Sequence, residues 1–494
     1  MDRTPQLPQT VRLPALVDGL SRNPGLPEDL ALRLAPLWPA ALGLALRRGA
    51  ELSDALCAEF LAHGRAAELA LAQALPPGTA ARLAAHPDPE VRAERAEREG
   101  AAEGRHGLFA ADPEAAVRLA LAKNPELSAQ RAQELAGDTD PRVRAAVARR
   151  ESAPDETVHR ALLTDPEARV RAAACRHRPP DDLHAALLAD PVTRPHVIGF
   201  VELDPATADR LAADPDDRVR EALAAHPGLP RTLCEVLARD PDPGVRGQVF
   251  RRADLAPELR GEIHSGLVAG ARRADEDREE AEEPDFLCKV VLAMVEFAEY
   301  GWVAADPLPH VGSPYVGIRR AAARSAALPH GARERMLADE DASVRHLALA
   351  RLPEVDLATA EDIDRRHPRQ SKFGDRPADR VVFPPETLRR FAVDPDPWMR
   401  ILALRDPRLP APLLERLAAD ESARVRHATA GHPRVPTAAL LRLLGDAQDH
   451  VAQEAAAAPG LPAEAMRALL DRAEAAGALA AEDDDTCGCD SSAR

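Results

Sequence analysis

The chain has 494 residues, a formal net charge of −17 and a sequence pI of about 5.5. This acidic balance argues against a general nucleic-acid binder, because neutralising phosphates requires a basic face. Apolar residues make up 45% of the chain but aromatic residues only 3%, so alanine and leucine must fill the interior, which favours close-packed helices over sheets.

The start of the chain carries no apolar segment of the kind that directs secretion: it reads MDRTPQLPQTVRLP. The longest apolar run, VVLAMV at 290–295, is far too short to cross a membrane. Six cysteines in a chain of this length do not form a disulfide framework. The sequence therefore predicts a soluble cytoplasmic protein with no membrane association.

From residue 87 onwards a short fragment recurs, as DTDPRVRAAVARR at 138–150 and DPDDRVREALAAH at 214–226. Its Val-Arg dipeptide mostly returns after 26 residues, as at 91, 117 and 143. An aspartate stands six residues before the arginine, as Asp214 does before Arg220, and the Asp-Pro that follows is typical of a helix start. Val219 and Leu223 share one face of this short helix, which is predicted to end at the His-Pro of 226–227.

A second helix follows in each copy, written LPRTLCEVLA at 229–238 and LPAPLLERLA at 409–418. In the latter, Leu409, Leu413 and Leu417 recur every fourth residue and give the helix one apolar edge. Neither helix is long enough to be stable alone, so each copy must bury its apolar face against the next. The sequence predicts an all-α solenoid of two-helix units. Regular copies are expected at 87–253, 313–361 and 386–480, after an N-terminal cap of degenerate repeats at 1–86.

The Asp-x5-Arg element with valine before the arginine resembles the turn of HEAT-type repeats. The shorter period and the HPxLPxxLLxxLA half resemble the leucine-rich repeat variant family. This resemblance implies a right-handed superhelix in which the aspartate and arginine of successive units pair along the stack. The alternative is that the arginines form a basic ladder for a ligand. Some members of the family hold an N-terminal iron–sulfur cluster with closely spaced cysteines, but Cys57 is the only cysteine before residue 100, so no cofactor is expected.

Residues 254–312 interrupt the repeats and are predicted to form a helical insertion with an acidic linker, ADEDREEAEEPD. Phe286, Phe297, Tyr300, Trp302 and Tyr315 cluster in and just after this insertion. One interpretation is that these aromatic side chains fill a small core of the insertion. The other is that Tyr300, Trp302 and Tyr315 anchor a protein partner, as aromatic residues do at interface hot spots.

A second interruption, at 362–385, is a basic loop in an otherwise acidic chain. Its candidate binding residues are Arg365, Arg366, Arg369 and Lys372. Such a loop could bind a phosphate, an acidic peptide or nucleic acid, or it could contact acidic residues of the protein itself. Trp398, in the following repeat, is a further candidate anchor.

The tail at 481–494 is predicted to be disordered and acidic. Cys487 and Cys489 are weak candidates for a soft metal or a redox pair, since two thiols do not complete a tetrahedral site.

The chain contains no HExxH, nucleophile elbow or P-loop. We therefore predict a non-enzymatic scaffold or adaptor that binds a protein or peptide through the solenoid surface, without a cofactor. Nucleic acid is an unlikely partner. Two alternatives stay open: a HEAT-like protein that processes nucleic acid or a small molecule, and a metal or redox role of the Cys-x-Cys tail.

Overall fold

The structure is a computed structural model that describes residues 13–35, 52–72, 74–100, 103–276, 283–352, 354–368 and 376–475. Within these ranges it is helical and contains no strand, which confirms the predicted all-α class. None of the described helices is both long and apolar enough to cross a membrane.

The helices are numbered here in chain order. Residues 1–148 contain α1 (Leu13–Ser21), α2 (Glu28–Leu34), α3 (Asp54–Ala62), α4 (Ala66–Ala70), α5 (Pro77–Ala84), α6 (Pro89–Arg98), α7 (Glu103–Ala110), α8 (Ala115–Lys123), α9 (Ala129–Leu135) and α10 (Pro141–Ala148). Residues 149–382 contain α11 (Glu156–Leu163), α12 (Ala168–Ala174), α13 (His184–Ala189), α14 (Arg194–Val197), α15 (Pro205–Ala212), α16 (Asp217–Ala224), α17 (Arg231–Leu237), α18 (Pro243–Phe250), α19 (Pro257–Glu276), α20 (Glu283–Phe297), α21 (Gly301–Ala305), α22 (Val316–Arg324), α23 (His330–Met336), α24 (Ala342–Ala350) and α25 (Leu357–Arg366). Residues 383–494 contain α26 (Pro385–Phe391), α27 (Pro397–Ala403), α28 (Ala411–Ala418), α29 (Ala423–Ala430), α30 (Thr437–Leu443), α31 (Asp449–Ala457) and α32 (Ala463–Ala475). Short 3₁₀ helices lie at Asp181–Leu183, Ile198–Phe200, Leu308–His310 and Pro377–Arg380.

Aspartate caps begin several Val-Arg helices. The Asp216 side chain accepts a hydrogen bond from the Arg218 N–H at the start of α16 and so satisfies a donor that has no partner within the helix. Asp214, the aspartate that the sequence pattern singled out, lies two residues before this cap. Its carboxylate accepts a hydrogen bond from the Asp216 N–H at 3.0 Å and is thereby held toward the preceding copy.

The described helices group into two compact units. Unit 1 comprises residues 1–147 and 383–494, and unit 2 comprises residues 148–382. In unit 2 the Val-Arg helices contact one another in succession, from α14 through α16, α18, α20 and α22 to α24. The insertion helix α20 takes one place in this row, between α18 and α22. Leu223, Val245, Val291, Ile318 and Val344 contribute to the shared hydrophobic core.

In unit 1 the first helices of the chain contact the last ones. α1 packs against α31 and α32, α2 packs against α32, and these four helices share one hydrophobic core. The Asn23 amide donates to the carbonyl oxygens of Ala456 and Ala458, at 2.9 and 2.7 Å. Gly19 permits the close approach, because a Cβ there would lie 2.0 Å from the Gln453 carbonyl oxygen. The predicted N-terminal cap thus begins with helices that dock on the other end of the described chain.

Candidate functional site

Eight arginines at the repeat position each pair with an aspartate of the next copy. In one of them, Arg220 donates from Nε and Nη2 to the two carboxylate oxygens of Asp240, at 2.8 and 3.0 Å, and from Nη1 to the Asp214 carbonyl oxygen at 2.9 Å. We call each such arginine–aspartate pair a rung. The rungs are Arg92–Asp112, Arg118–Asp138, Arg171–Asp190, Arg194–Asp214, Arg220–Asp240, Arg319–Asp339, Arg400–Asp420 and Arg426–Asp446. This confirms the pairing that the family resemblance implied.

The rungs are structural, because their charged groups are mostly covered. The Arg118 and Asp138 side chains are 14% and 6% exposed. Burial disfavours ionisation of the Asp138 carboxyl, but hydrogen bonds from Arg118 and from the Asp140 N–H outweigh it and lower its pKa. Arg118 holds the ionised Asp138 carboxylate at Nε and Nη2 and donates from Nη1 to two backbone carbonyl oxygens, so all three nitrogens of its guanidinium are engaged within the protein. The filled rungs therefore do not form a basic ligand-binding ladder.

The insertion helix α20 is apolar on two faces. Cys288, Val291 and Val295 point into the core of unit 2 and are almost fully buried. A second set of apolar side chains faces solvent. It consists of Phe286, Val290, Met294 and Phe297, which are 61%, 39%, 58% and 65% exposed. The spacing of four, four and three residues places them along one side of the helix. We call these four residues the α20 stripe.

Close backbone contacts hold α20 in place beneath the stripe. A Cβ on Gly247 of α18 would lie 2.5 Å from a Val291 methyl, and a Cβ on Gly317 of α22 would lie 2.5 Å from the Val295 carbonyl oxygen. At the end of α20, the Arg320 guanidinium lies 4.4 Å from the Phe297 ring centroid, a cation–π distance. The stripe is therefore presented on a helix anchored to both of its neighbours in the row.

Tyr300 is one of the three aromatic residues predicted to anchor a partner, and for this residue the prediction is wrong. It is 2% exposed, and its hydroxyl donates to the Val295 carbonyl oxygen at 2.6 Å, so the ring has no face for a partner. Burial raises its pKa. Trp302 is half-buried and donates from Nε1 to the Arg251 carbonyl oxygen at 3.0 Å. Tyr315 is also half-buried and packs edge-on to Phe250. These contacts favour the interpretation in which the aromatic residues fill a core.

A buried arginine lies inside this aromatic group. The Arg260 guanidinium is 5.4 Å from the Phe250 ring centroid and 5.1 Å from that of Trp302. It also donates to the carbonyl oxygens of Phe250 and Arg252. Burial lowers its pKa. The indole N–H of Trp302 and one contact of its ring are thus engaged by other residues of the protein. Trp302 is therefore poorly suited to anchor a partner.

The described part of the basic loop is neutralised by its own helix. Arg365 donates to Glu361 at 2.7 Å, and Arg366 pairs with Asp362. Both acids stand one helical turn earlier on α25. Arg369 and Lys372 lie outside the described residues. The structure thus favours, for Arg365 and Arg366, contacts with acidic residues of the protein itself.

Trp398, the remaining candidate anchor, is 6% exposed, and the Arg424 guanidinium lies 5.2 Å from its ring centroid. A side chain so deeply buried cannot serve as a surface anchor, so this prediction is wrong. Arginine stacking and burial in α27 explain the tryptophan without a partner.

The described residues contain no group of three or more His, Cys, Asp or Glu side chains that could hold a metal ion. Cys57, Cys175, Cys234 and Cys288 are buried. Burial raises the pKa of the Cys175 thiol to about 11, so it stays protonated and unreactive near neutral pH. The candidate ligands Cys487 and Cys489 lie outside the described residues.

The α20 stripe escaped the sequence reasoning. Phe286 and Phe297 belonged to the predicted aromatic cluster but were not chosen as anchors, and Val290 and Met294 were not considered. The sequence does contain a signal for the stripe, because its four positions recur at helical spacing. A second apolar series, Cys288, Val291 and Val295, recurs beside them and is sufficient to bury the helix against the core. A helix that is apolar on two faces has one face more than its core requires.

No protein-family model matches this chain, and no curated protein sequence is significantly similar to it. Function has to be inferred from the chain's own geometry.

Proposed function

We propose that this protein is a non-enzymatic scaffold that binds a protein partner through the α20 stripe. The repeats, on this proposal, form an α-solenoid of the leucine-rich repeat variant type, with units of about 26 residues. The observation that carries the proposal is the exposure of two phenylalanines, a methionine and a valine on one side of an anchored helix. Aromatic residues make up only 3% of the chain, so two exposed phenylalanines on one side of a single helix are unusual in this sequence.

The dimensions of the stripe suit a partner helix. Phe286 and Phe297 are eleven residues apart, which corresponds to about 16 Å along an α-helix. That length accommodates three successive turns of an amphipathic helix with apolar residues at i, i+4 and i+7. The partner we propose is therefore an amphipathic helical segment of another protein.

The energy of the stripe alone supports only weak binding. Covering four partly exposed apolar side chains contributes on the order of 1 kcal/mol each, or about 4 kcal/mol in total. Micromolar affinity corresponds to about 8 kcal/mol, and association also carries an entropic cost. The stripe is expected to be the centre of a larger contact or the site of a transient one.

Site-specific photo-crosslinking in the native host tests this proposal. A photoreactive residue at Met294 is compared with one at Val236, an apolar side chain of α17 that is 59% exposed and is not part of the stripe. The expected result is a discrete conjugate with another protein at Met294 that is absent at Val236 and is lost when Phe286→Asp is added. Conjugates of equal yield at both positions, or none at Met294, would contradict the proposal. A conjugate with a second copy of this chain would replace it by self-association.

A further inference from the structure

Two arginines at the repeat position, Arg246 and Arg345, have no aspartate that completes a rung among the described residues. Arg246 instead directs Nη2 at the Cys288 thiol, 3.7 Å away, a partner that Arg345 does not have among those residues. Arg345, in α24, donates from Nη1 to the carbonyl oxygens of Asp339 and Glu340, at 2.7 and 2.9 Å, as the arginines of filled rungs do. Its Nε is buried but has no hydrogen-bond partner, and within the described residues no carboxylate lies within ion-pair distance of it. The residue is only 8% exposed. Among the described residues, the edge that holds a carboxylate in eight other copies therefore has no carboxylate partner here.

The repeat pattern shows why the acid is missing. In each filled rung the aspartate stands three residues after a large buried apolar residue of the second helix, as Asp240 follows Leu237. In α25 the corresponding buried residue is Ile363, which is 1% exposed. The third residue after it is Arg366. A positive charge thus takes the sequence position of the rung carboxylate.

The buried acid of the same helix does not replace it. Asp364 is fully buried, and one of its carboxylate oxygens accepts hydrogen bonds from Arg376 Nε at 2.9 Å and from the Ala378 N–H at 3.0 Å. These bonds join the end of α25 to the 3₁₀ helix at Pro377–Arg380. Asp364 therefore neutralises Arg376 and not Arg345.

A guanidinium cannot lose its proton in a protein, so Arg345 stays charged. A buried charge without a counter-ion is strongly unfavourable. The filled rungs define what the vacant edge accepts, namely a planar carboxylate that takes both Nε and Nη2 hydrogen bonds. We propose that Arg345 binds a carboxylate supplied by a ligand from outside the chain, at a site separate from the α20 stripe.

The test measures thermal unfolding of the full chain in sodium acetate against sodium chloride at equal ionic strength. Acetate is the probe because it carries a single planar carboxylate. At an acetate concentration about tenfold above its dissociation constant, the unfolding midpoint of the wild type is expected to rise by about 1–3 °C. Arg345→Gln removes the positive charge and the Nε and Nη2 donor pair and is expected to lose this response.

Arg366→Asp is the second variant and does not depend on Arg345→Gln folding. It places an acid at the sequence position of a rung aspartate, so it is expected to raise the midpoint in chloride and to abolish the acetate response. Asp375 is an acid of the same chain that lies outside the described residues, so a third variant, Asp375→Asn, controls for a carboxylate from within the chain. An equal acetate response in wild type and Arg366→Asp would overturn the proposal. A response that appears only in Asp375→Asn, or a larger response of the wild type to sulfate than to acetate, would overturn it as well.

Discussion

Replacing Arg220 by alanine measures how much one rung contributes to folding. The change removes two bonds to Asp240 and leaves that carboxylate, which is 6% exposed, without its counter-charge. It also frees the Asp214 carbonyl oxygen. Removing one partner of a buried ion pair costs about 3–5 kcal/mol. Because Arg220 is 13% exposed, we expect the lower end of that range, about 3 kcal/mol.

Arg218 provides a matched control two residues away. It pairs with Asp216, but its side chain is 70% exposed, so Arg218→Ala is expected to leave the urea midpoint nearly unchanged. In urea unfolding followed by circular dichroism, a slope of about 2–3 kcal/mol/M converts 3 kcal/mol into a midpoint shift of about 1–1.5 M. Adding Asp240→Asn to Arg220→Ala should recover part of the loss, since it removes the unpaired charge. Equal midpoints for Arg220→Ala and Arg218→Ala would refute the structural role of the rungs.

Three further predictions concern acid stability, helix spacing and the aromatic core. The pKa of Asp138 is lowered in the folded state. The stability that its carboxylate confers is therefore complete above the ordinary carboxyl pKa of about 4 and is lost as the pH falls through the lower folded value. Urea midpoints that do not fall between pH 5 and pH 3 would contradict this. Gly317→Ala is expected to destabilise the folded protein by about 1–3 kcal/mol, because α20 lies against the Gly317 backbone. The control is Gly266→Ala, which has open space around it and should be neutral or stabilising by up to about 1 kcal/mol in the same urea assay. Tyr300→Phe loses the hydrogen bond to Val295 and should cost about 1 kcal/mol without reducing the photo-crosslink at the α20 stripe; loss of that crosslink would return Tyr300 to the binding site.

The rungs could be predicted from the sequence because each depends on residues at a fixed separation. Arg220 and Asp240 are 20 residues apart, and most other rungs keep that separation. A local rule repeated along the chain is visible in the chain itself. The same regularity exposes the copy that begins at Arg345, where the position 20 residues later is Arg365 and the third residue after the buried Ile363 is Arg366, so that an arginine stands wherever an acid is expected.

The docking of α1 could not be predicted in this way. Asn23 reaches the carbonyl oxygens of Ala456 and Ala458 across more than 430 residues of sequence, and no spacing rule connects positions so far apart. The sequence did not predict correctly which aromatic residues are buried and which are exposed, for a related reason. Tyr300 and Phe297 are three residues apart, yet one is buried and the other is 65% exposed, and only the position of the neighbouring helices decides which is which.

The contact of α1 with α31 changes how unit 1 is expected to unfold locally. A row of repeats ordinarily frays from its ends, because an end copy has a neighbour on one side only. Here α31 is covered by α29 on one side and by α1 on the other, so it is enclosed like an interior helix. Amide hydrogens of α1 and α31 are therefore expected to exchange with solvent at matching rates, in one shared opening event. Loosening either end of the described chain would expose the other.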